Sequence, residues 1–285
     1  MVLVTLLWSI AGVVTRHLDT TSSFEVTFWR SAFNALALGV ALTVLRGSSL
    51  WFGLMHSPAV VWLSGICWAV MYTAFMLALT LTSVANVLVS MAIGPMVTAL
   101  FSWVFLRRRL PPRSWLAIGA ASAGIAWMFG GDTRAGGSLL GSLVACAVPL
   151  AGAANLTILQ KVGERRAEKQ PDMLSGVLLG ALISALATLP LAWPLQASSH
   201  NVGLLAMLGI VQLAVPCLLM VRLTRELPAP EIALLALLEV IFGVAWAWLG
   251  AGEQPSARVL LGGGLVLVAL AANEMAAWRE AKVDR

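Results

Sequence analysis

Charged residues are scarce in this sequence: Asp, Glu, Lys and Arg make up 11% of its 285 residues, against 60% hydrophobic residues. A water-soluble core of ordinary size cannot bury that much apolar surface. There is no GxxxxGK[ST] loop that would indicate ATP hydrolysis. HExxH, a membrane-embedded aspartate pair and a Ser/His arrangement are also absent, which disfavours an intramembrane enzyme. The composition therefore predicts an integral membrane protein without enzymatic activity.

Cysteine is also scarce, with Cys67, Cys146 and Cys217 all inside apolar stretches and without CxxC or Cys/His spacing. Neither a disulfide framework nor a zinc site is indicated, and we predict no cofactor and no metal. The pI of about 9.7 does not indicate nucleic-acid binding, because the basic residues lie in short loops and form no contiguous soluble face. The lipid bilayer is the predicted environment.

Apolar stretches of about 20 residues, the length that spans a bilayer, predict ten transmembrane helices. Their approximate ranges are 2–16, 24–45, 58–79, 83–106, 114–130, 138–160, 173–195, 202–222, 229–250 and 256–278. With the N-terminus inside, the outer loops hold only Arg16, Arg134 and Arg258, so the positive-inside rule predicts both termini in the cytoplasm. Val2 to Val14 is interpreted as a first span and not as a cleaved signal peptide.

Two stretches of the sequence match in the order of their features, an apolar span, a polar turn and a Gly-rich span. Superposing Ser83–Met128 on Pro228–Asn273 places Trp103 on Trp248 and Arg113 on Arg258. Because each half then holds an odd number of spans, the second half enters the membrane from the opposite face. We predict an all-α membrane protein made of two inverted five-helix repeats, 1–133 and 134–285, around a central cavity.

Glycine and proline interrupt several predicted spans. Gly94 and Pro95 break span 4, Pro149 breaks span 6 and Pro216 breaks span 8. A proline frees backbone groups that must be satisfied by neighbouring helices or by a hydrated cavity. The breaks are therefore predicted to face the interior of the bundle.

The chain resembles the drug/metabolite transporter superfamily, in its ten-span branch with two EamA domains. The resemblance is carried by Trp8, by FWRSAFNAL around Arg30, by the Pro95 break and by LGAGEQPSARVLLGGGLVL, where Gly252 and Glu253 match the family pattern. The first half departs from that pattern at Arg107 and Arg108. Within the superfamily the chain is most similar to the YddG-type aromatic amino acid exporters.

The resemblance implies a cavity lined mainly by spans 1, 3, 4, 6, 8 and 9, with spans 5 and 10 at the periphery. It also implies export of amino acids, aromatic or otherwise neutral, across a bacterial inner membrane. A multidrug or small-metabolite exporter of the same superfamily and a channel are the alternatives. The expected partners are a small-molecule substrate and lipid, and the Gly-rich faces of spans 5 and 10 are compatible with a monomer or a homodimer.

Charged residues inside predicted spans are candidate functional residues because they are costly in lipid. Glu239 is the strongest candidate: substrate ammonium binding or proton coupling would suit it, and a helix-paired structural glutamate is the alternative. Arg30 could hold a substrate carboxylate, but we favour a structural role. Glu231 follows Pro230, and we interpret it as a helix-dipole residue.

The remaining substrate-binding candidates are aromatic or polar. They are Trp68, Tyr72, Asn86, Ser90, Asn155, Gln212 and Trp246. Trp68, Tyr72 and Phe75 form an aromatic stripe on span 3, for which cavity lining and packing are the alternatives. Trp246 shares one face of span 9 with Glu239, and the others are polar side chains inside spans. For the amides, binding a ligand and bonding between helices are equally compatible with the sequence.

Overall fold

A computed structural model describes residues 1–15, 17–18, 22–82, 87, 90–129, 139–164, 170–251 and 257–283. Across these ranges the regular structure is helical and no strand occurs. The prediction of an all-α protein is confirmed for this part of the chain. The predicted repeat boundary at 133/134, together with Asn86, Gly252 and Glu253, lies outside the described residues.

The described ranges contain fourteen α-helices, numbered in chain order. They are α1 Val2–Ser9, α2 Ala11–Thr15, α3 Ser23–Arg46, α4 Ser49–Met55, α5 Ala59–Leu81, α6 Gly94–Leu106, α7 Pro112–Phe129, α8 Leu139–Gly163, α9 Leu174–Ala192, α10 Ser199–Met207, α11 Val215–Leu223, α12 Ala229–Ala236, α13 Leu238–Ala251 and α14 Ala257–Val283. A π-helix, Leu208–Ala214, joins α10 to α11.

Six helical stretches of the described chain are long and apolar enough to cross a membrane. They are Ser23–Arg46, Ala59–Leu79, Leu140–Gly163, Leu174–Ala192, Ser199–Leu223 and Ala229–Trp246, with shorter apolar helices at Val2–Thr15, Gly94–Leu106 and Ala257–Asn273. A helix satisfies its own backbone polar groups, which a bilayer requires. The protein is therefore a multi-pass membrane protein, and the count of ten spans stays a prediction.

The predicted helix breaks are found in part. Helix α6 begins at Gly94 with Pro95 in its first turn, as expected. The prediction for Pro149 is wrong, because α8 continues through it from Leu139 to Gly163. Pro216 lies in the first turn of α11, and the irregular segment of this span is the π-helix that precedes it. The structure adds a break that the sequence did not reveal, at Leu237 between α12 and α13.

The helices pack as two groups that meet around an internal cavity. Helix α9 packs against α3 and α5, and α5 also packs against α8. Helix α7 packs against α14, and α6 packs against both α8 and α12. The α7–α14 contact is close: a Cβ added to Gly124 would lie 2.8 Å from the Gly262 oxygen. Helix α1 packs against α13, and the π-helix packs against α3.

Candidate functional site

A cavity of about 200 Å³ lies between the helices. Its described lining comes from α1, α3, α5, α6, α8, the π-helix and α11 to α13. These are the spans that the resemblance implied, with the addition of Arg30 from α3. The walls are mainly apolar, so the few polar side chains among them determine how a ligand is oriented.

One wall of the cavity is aromatic. Trp68 and Tyr72, one turn apart on α5, stack with ring centroids 5.6 Å apart and an interplanar angle of 29°. Both side chains are buried, and the Tyr72 hydroxyl donates to Cys217 Sγ at 3.4 Å. The Trp68 indole nitrogen is buried and has no hydrogen-bond partner among the described residues. This wall offers a flat ring surface to a ligand.

Arg30 provides the positive charge of the cavity. Its Nε and Nη2 donate to Gln212 Oε1 at 3.2 and 2.8 Å, and its Cζ lies 5.8 Å from the centre of the Phe75 ring. The residue is 3% exposed. Within the described chain no carboxylate oxygen lies within 4.0 Å of the guanidinium. The charge is therefore held in place without being neutralised by an ion pair.

Glu239 provides the negative charge. It lines the cavity in the first turn of α13, directly after the break at Leu237. Partial positive charge at a helix N-terminus favours a carboxylate there. The structure shows no hydrogen bond to its carboxylate from the described residues. Glu239 is therefore available to a ligand cation or to a proton.

Glu25 provides a contrast, because it is fully buried, at 2% exposure, whereas Glu239 is half-buried. Its Oε1 accepts hydrogen bonds from the backbone nitrogens of Gln196 and Ala197, each at 2.7 Å, and from Trp29 Nε1 at 3.4 Å. Those bonds tie the start of α3 to the segment after α9. Glu25 is thus satisfied by the protein itself and does not line the cavity.

The structure brings together five of the predicted binding residues at the cavity: Trp68, Tyr72, Asn155, Gln212 and Glu239. Asn155 Oδ1 accepts from Ser64 Oγ at 2.6 Å, so it also joins α8 to α5. Ser90 is half-buried and outside the lining. Trp246 is also outside the lining, and its Nε1 donates to Ser9 Oγ at 3.0 Å. Asn86 is not among the described residues, and a binding role for any of these residues stays a prediction.

Two further residues bear on the cavity. Arg30 lines it and also pairs with Gln212 of another helix, which agrees with the structural interpretation of this arginine. Phe75, whose ring lies under the guanidinium, also lines the cavity. Its pairing with Arg30 depends on how α3 and α5 pack, which periodicity alone does not reveal.

Known proteins resemble this chain over nearly its full length. The sequence pattern of the EamA-like transporter family matches residues 1–130 and 139–273. The Pseudopaline exporter CntI from two strains of Pseudomonas aeruginosa is 23% identical over 275 residues, covering 94% of this chain and 92% of that protein. One solved crystal structure superposes with a TM-score of 0.79 and 20% identity, covering 97% of this chain and 96% of the other. At that identity the superposition shows the fold alone.

Proposed function

Since this chain belongs to the EamA-like transporter family, we propose that it exports amino acids, aromatic or otherwise neutral, through the central cavity. The observation that carries this proposal is an apolar, aromatic cavity holding a buried cation, Arg30, and a carboxylate, Glu239, that attracts it electrostatically but has no hydrogen-bond donor among the described residues. A free amino acid has the complementary charges and an apolar side chain. Opposite charges held apart in a low-dielectric cavity favour such a zwitterion over an uncharged solute.

Alternating access through two inverted five-helix repeats is the mechanism that we propose. Packing between predicted counterparts supports it: α3 contacts α9, α6 contacts α12 and α7 contacts α14. The break before Gly94 and the break at Leu237 also fall at matched positions of the two predicted repeats. Rocking of one repeat against the other would expose the cavity to each side in turn.

Counterflow in liposomes tests the function. Full-length protein is reconstituted with unlabelled amino acid inside, and uptake of labelled phenylalanine, leucine and other neutral amino acids is followed. We expect accumulation that depends on the internal amino acid. Ion flux without counterflow of any candidate solute would indicate a channel and contradict the proposal.

Glu239→Gln tests the site within the same assay. Hydrogen bonds to charged groups contribute about 1.5–3 kcal/mol, so we expect amino acid transport to fall by about tenfold or more. Glu231→Gln is the matched control, because Glu231 lies on α12 outside the cavity lining. Equal transport by wild type and Glu239→Gln, with an unchanged pH profile, would remove Glu239 from the mechanism.

Export of another small metabolite is the second candidate. It is favoured by the likeness to the Pseudopaline exporter CntI, which covers most of both chains. Competition of the counterflow signal by a panel of amino acids and metal-chelating metabolites separates the two candidates. We further propose a bacterial inner-membrane location with cytoplasmic termini, which fusions of reporter proteins to each terminus would test.

A further inference from the structure

A buried arginine usually has an acidic partner, but Arg30 has a neutral one. Both of its recorded hydrogen bonds go to the amide oxygen of Gln212. An amide stabilises the position of a guanidinium without cancelling its charge. A guanidinium also carries more N–H donors than one amide oxygen occupies. Glu239 of the same cavity attracts Arg30 electrostatically, but the two make no ion pair. Because Arg30 lines the cavity, an anion there has access to a positive charge that no contacting carboxylate neutralises.

The orientation of Gln212 is itself determined by its neighbours. Its Nε2 donates to the Trp8 carbonyl oxygen at 3.0 Å, which directs Oε1 toward Arg30. Gln212 lies in the π-helix Leu208–Ala214, and π-helical turns occur frequently at functional sites. The π-helix lies so close to α3 that a Cβ on Gly209 would be 2.6 Å from the Arg30 carbonyl oxygen. Gly209 therefore permits the approach that brings Gln212 to the guanidinium.

We propose that Arg30 is the carboxylate receptor of the cavity and that Gln212 is its positioning residue. This inference rests on the proposed transport function and specifies the substrate as a molecule with a carboxylate group. Planar guanidinium and carboxylate groups form paired, charge-assisted hydrogen bonds. Phe75 under the guanidinium and the Trp8–Gln212 hydrogen bond restrict the rotation of the Arg30 side chain. Arg30 therefore loses less conformational entropy when a ligand binds.

Matched probes test the charge requirement. Purified full-length protein in detergent is titrated with L-phenylalanine, with 3-phenylpropanoate, which lacks the ammonium group, and with L-phenylalaninamide, which lacks the carboxylate. Binding is followed by thermal stabilisation and calorimetry. We expect L-phenylalanine to bind at least about tenfold tighter than the amide, a difference of about 1.4 kcal/mol. Equal affinities, or no binding of either carboxylate, would overturn the proposal.

Variants then assign the effect to Arg30. Arg30→Met is expected to reduce the affinity for L-phenylalanine to the level of the amide, with the affinity for the amide unchanged. Gln212→Glu offers a second test if Arg30→Met does not fold, because it places a carboxylate against the guanidinium and neutralises it. It should weaken binding of both carboxylates by about tenfold and spare the amide. A merely structural role would weaken all three probes together.

The outcomes separate this inference from the transport function. Counterflow of a solute without a carboxylate, unaffected by Arg30→Met, would leave the transporter intact and refute the carboxylate receptor. Arg30-dependent binding of L-phenylalanine without any transport in liposomes would support the receptor and refute the proposed function. Leucine and leucinamide repeat the comparison without the aromatic ring.

Discussion

The two charged sides of the cavity are built differently. Arg30 is almost fully buried and is held by two hydrogen bonds to Gln212 and by the Phe75 ring. Glu239 is half-buried, lies in the first turn of a helix that follows a break, and accepts no hydrogen bond from the described residues. One charge is therefore fixed by the protein, and the other depends on what enters the cavity.

This difference suits the two charged residues to different tasks: one orients the substrate, and the other responds to a bound cation or proton. A fixed cation defines where an anionic group is placed, because its geometry changes little on binding. A carboxylate that has no hydrogen-bond donor among the described residues gains most from a ligand cation or a proton, because burial penalises its charge. We therefore assign substrate orientation to the Arg30 side and state-dependent interactions to the Glu239 side.

The largest predicted effect is on the stability of the two sides. Arg30→Met leaves the Gln212 oxygen without its donors and should lower the free energy of unfolding by about 3 kcal/mol, since hydrogen bonds to charged groups contribute about 1.5–3 kcal/mol each. Glu239→Gln breaks no hydrogen bond within the described chain, so its melting temperature should equal or exceed that of the wild type. Thermal unfolding in detergent measures both. Equal destabilisation by the two substitutions would contradict the contrast.

A smaller effect is expected where the π-helix approaches α3. Gly209→Ala introduces a Cβ that would lie 2.6 Å from Phe33 Cβ as well as from the Arg30 oxygen. Overpacking of this kind costs about 1–3 kcal/mol, and it should also weaken carboxylate binding by displacing Gln212. Melting temperature and L-phenylalanine affinity are the measurements.

Gly203→Ala is the control for that substitution. Gly203 lies on α10, the helix that precedes the π-helix. A Cβ added to Gly203 would meet nothing within 4 Å. Alanine is favoured over glycine in a helix by about 0.5–1 kcal/mol, so this variant should be as stable as the wild type or more stable. If both alanine variants behave alike, the close approach at Gly209 has no role.

Much of the helical architecture could be predicted from the sequence, because the length and composition of an apolar segment determine whether it forms a membrane helix. The apolar spans, the Gly94 start of α6 and the aromatic stripe with Trp68 and Tyr72 were predictable in this way. The continuity of α8 through Pro149 was not, because neighbouring helices can accommodate a proline in a membrane helix. The break at Leu237 also carries no local sequence signal, whereas Pro216 indicated an irregularity in span 8 but not its π-helical form.

In the site, too, some features were predictable from the local sequence and others were not. Glu239 and Gln212 were identified because polar groups inside a span demand a partner. Which partner each one has depends on contacts between distant parts of the chain. Arg30 and Gln212 lie on α3 and the π-helix, and the choice between a structural and a binding arginine rests on that pairing.

The smallest predicted effect concerns the bond that ties the Glu239 helix to α1. Trp246 Nε1 donates to Ser9 Oγ at 3.0 Å, and both residues are at least partly buried. Trp246→Phe removes this bond and should cost about 0.5–1.5 kcal/mol. A double-mutant cycle with Ser9→Ala isolates the bond, since the second substitution should add little once the first is made. If the Arg30 side is the rigid one, carboxylate affinity should stay unchanged in both variants while the transport rate changes. A parallel loss of L-phenylalanine affinity would instead show that α1, through the Trp8 carbonyl and Ser9, couples the two charged sides.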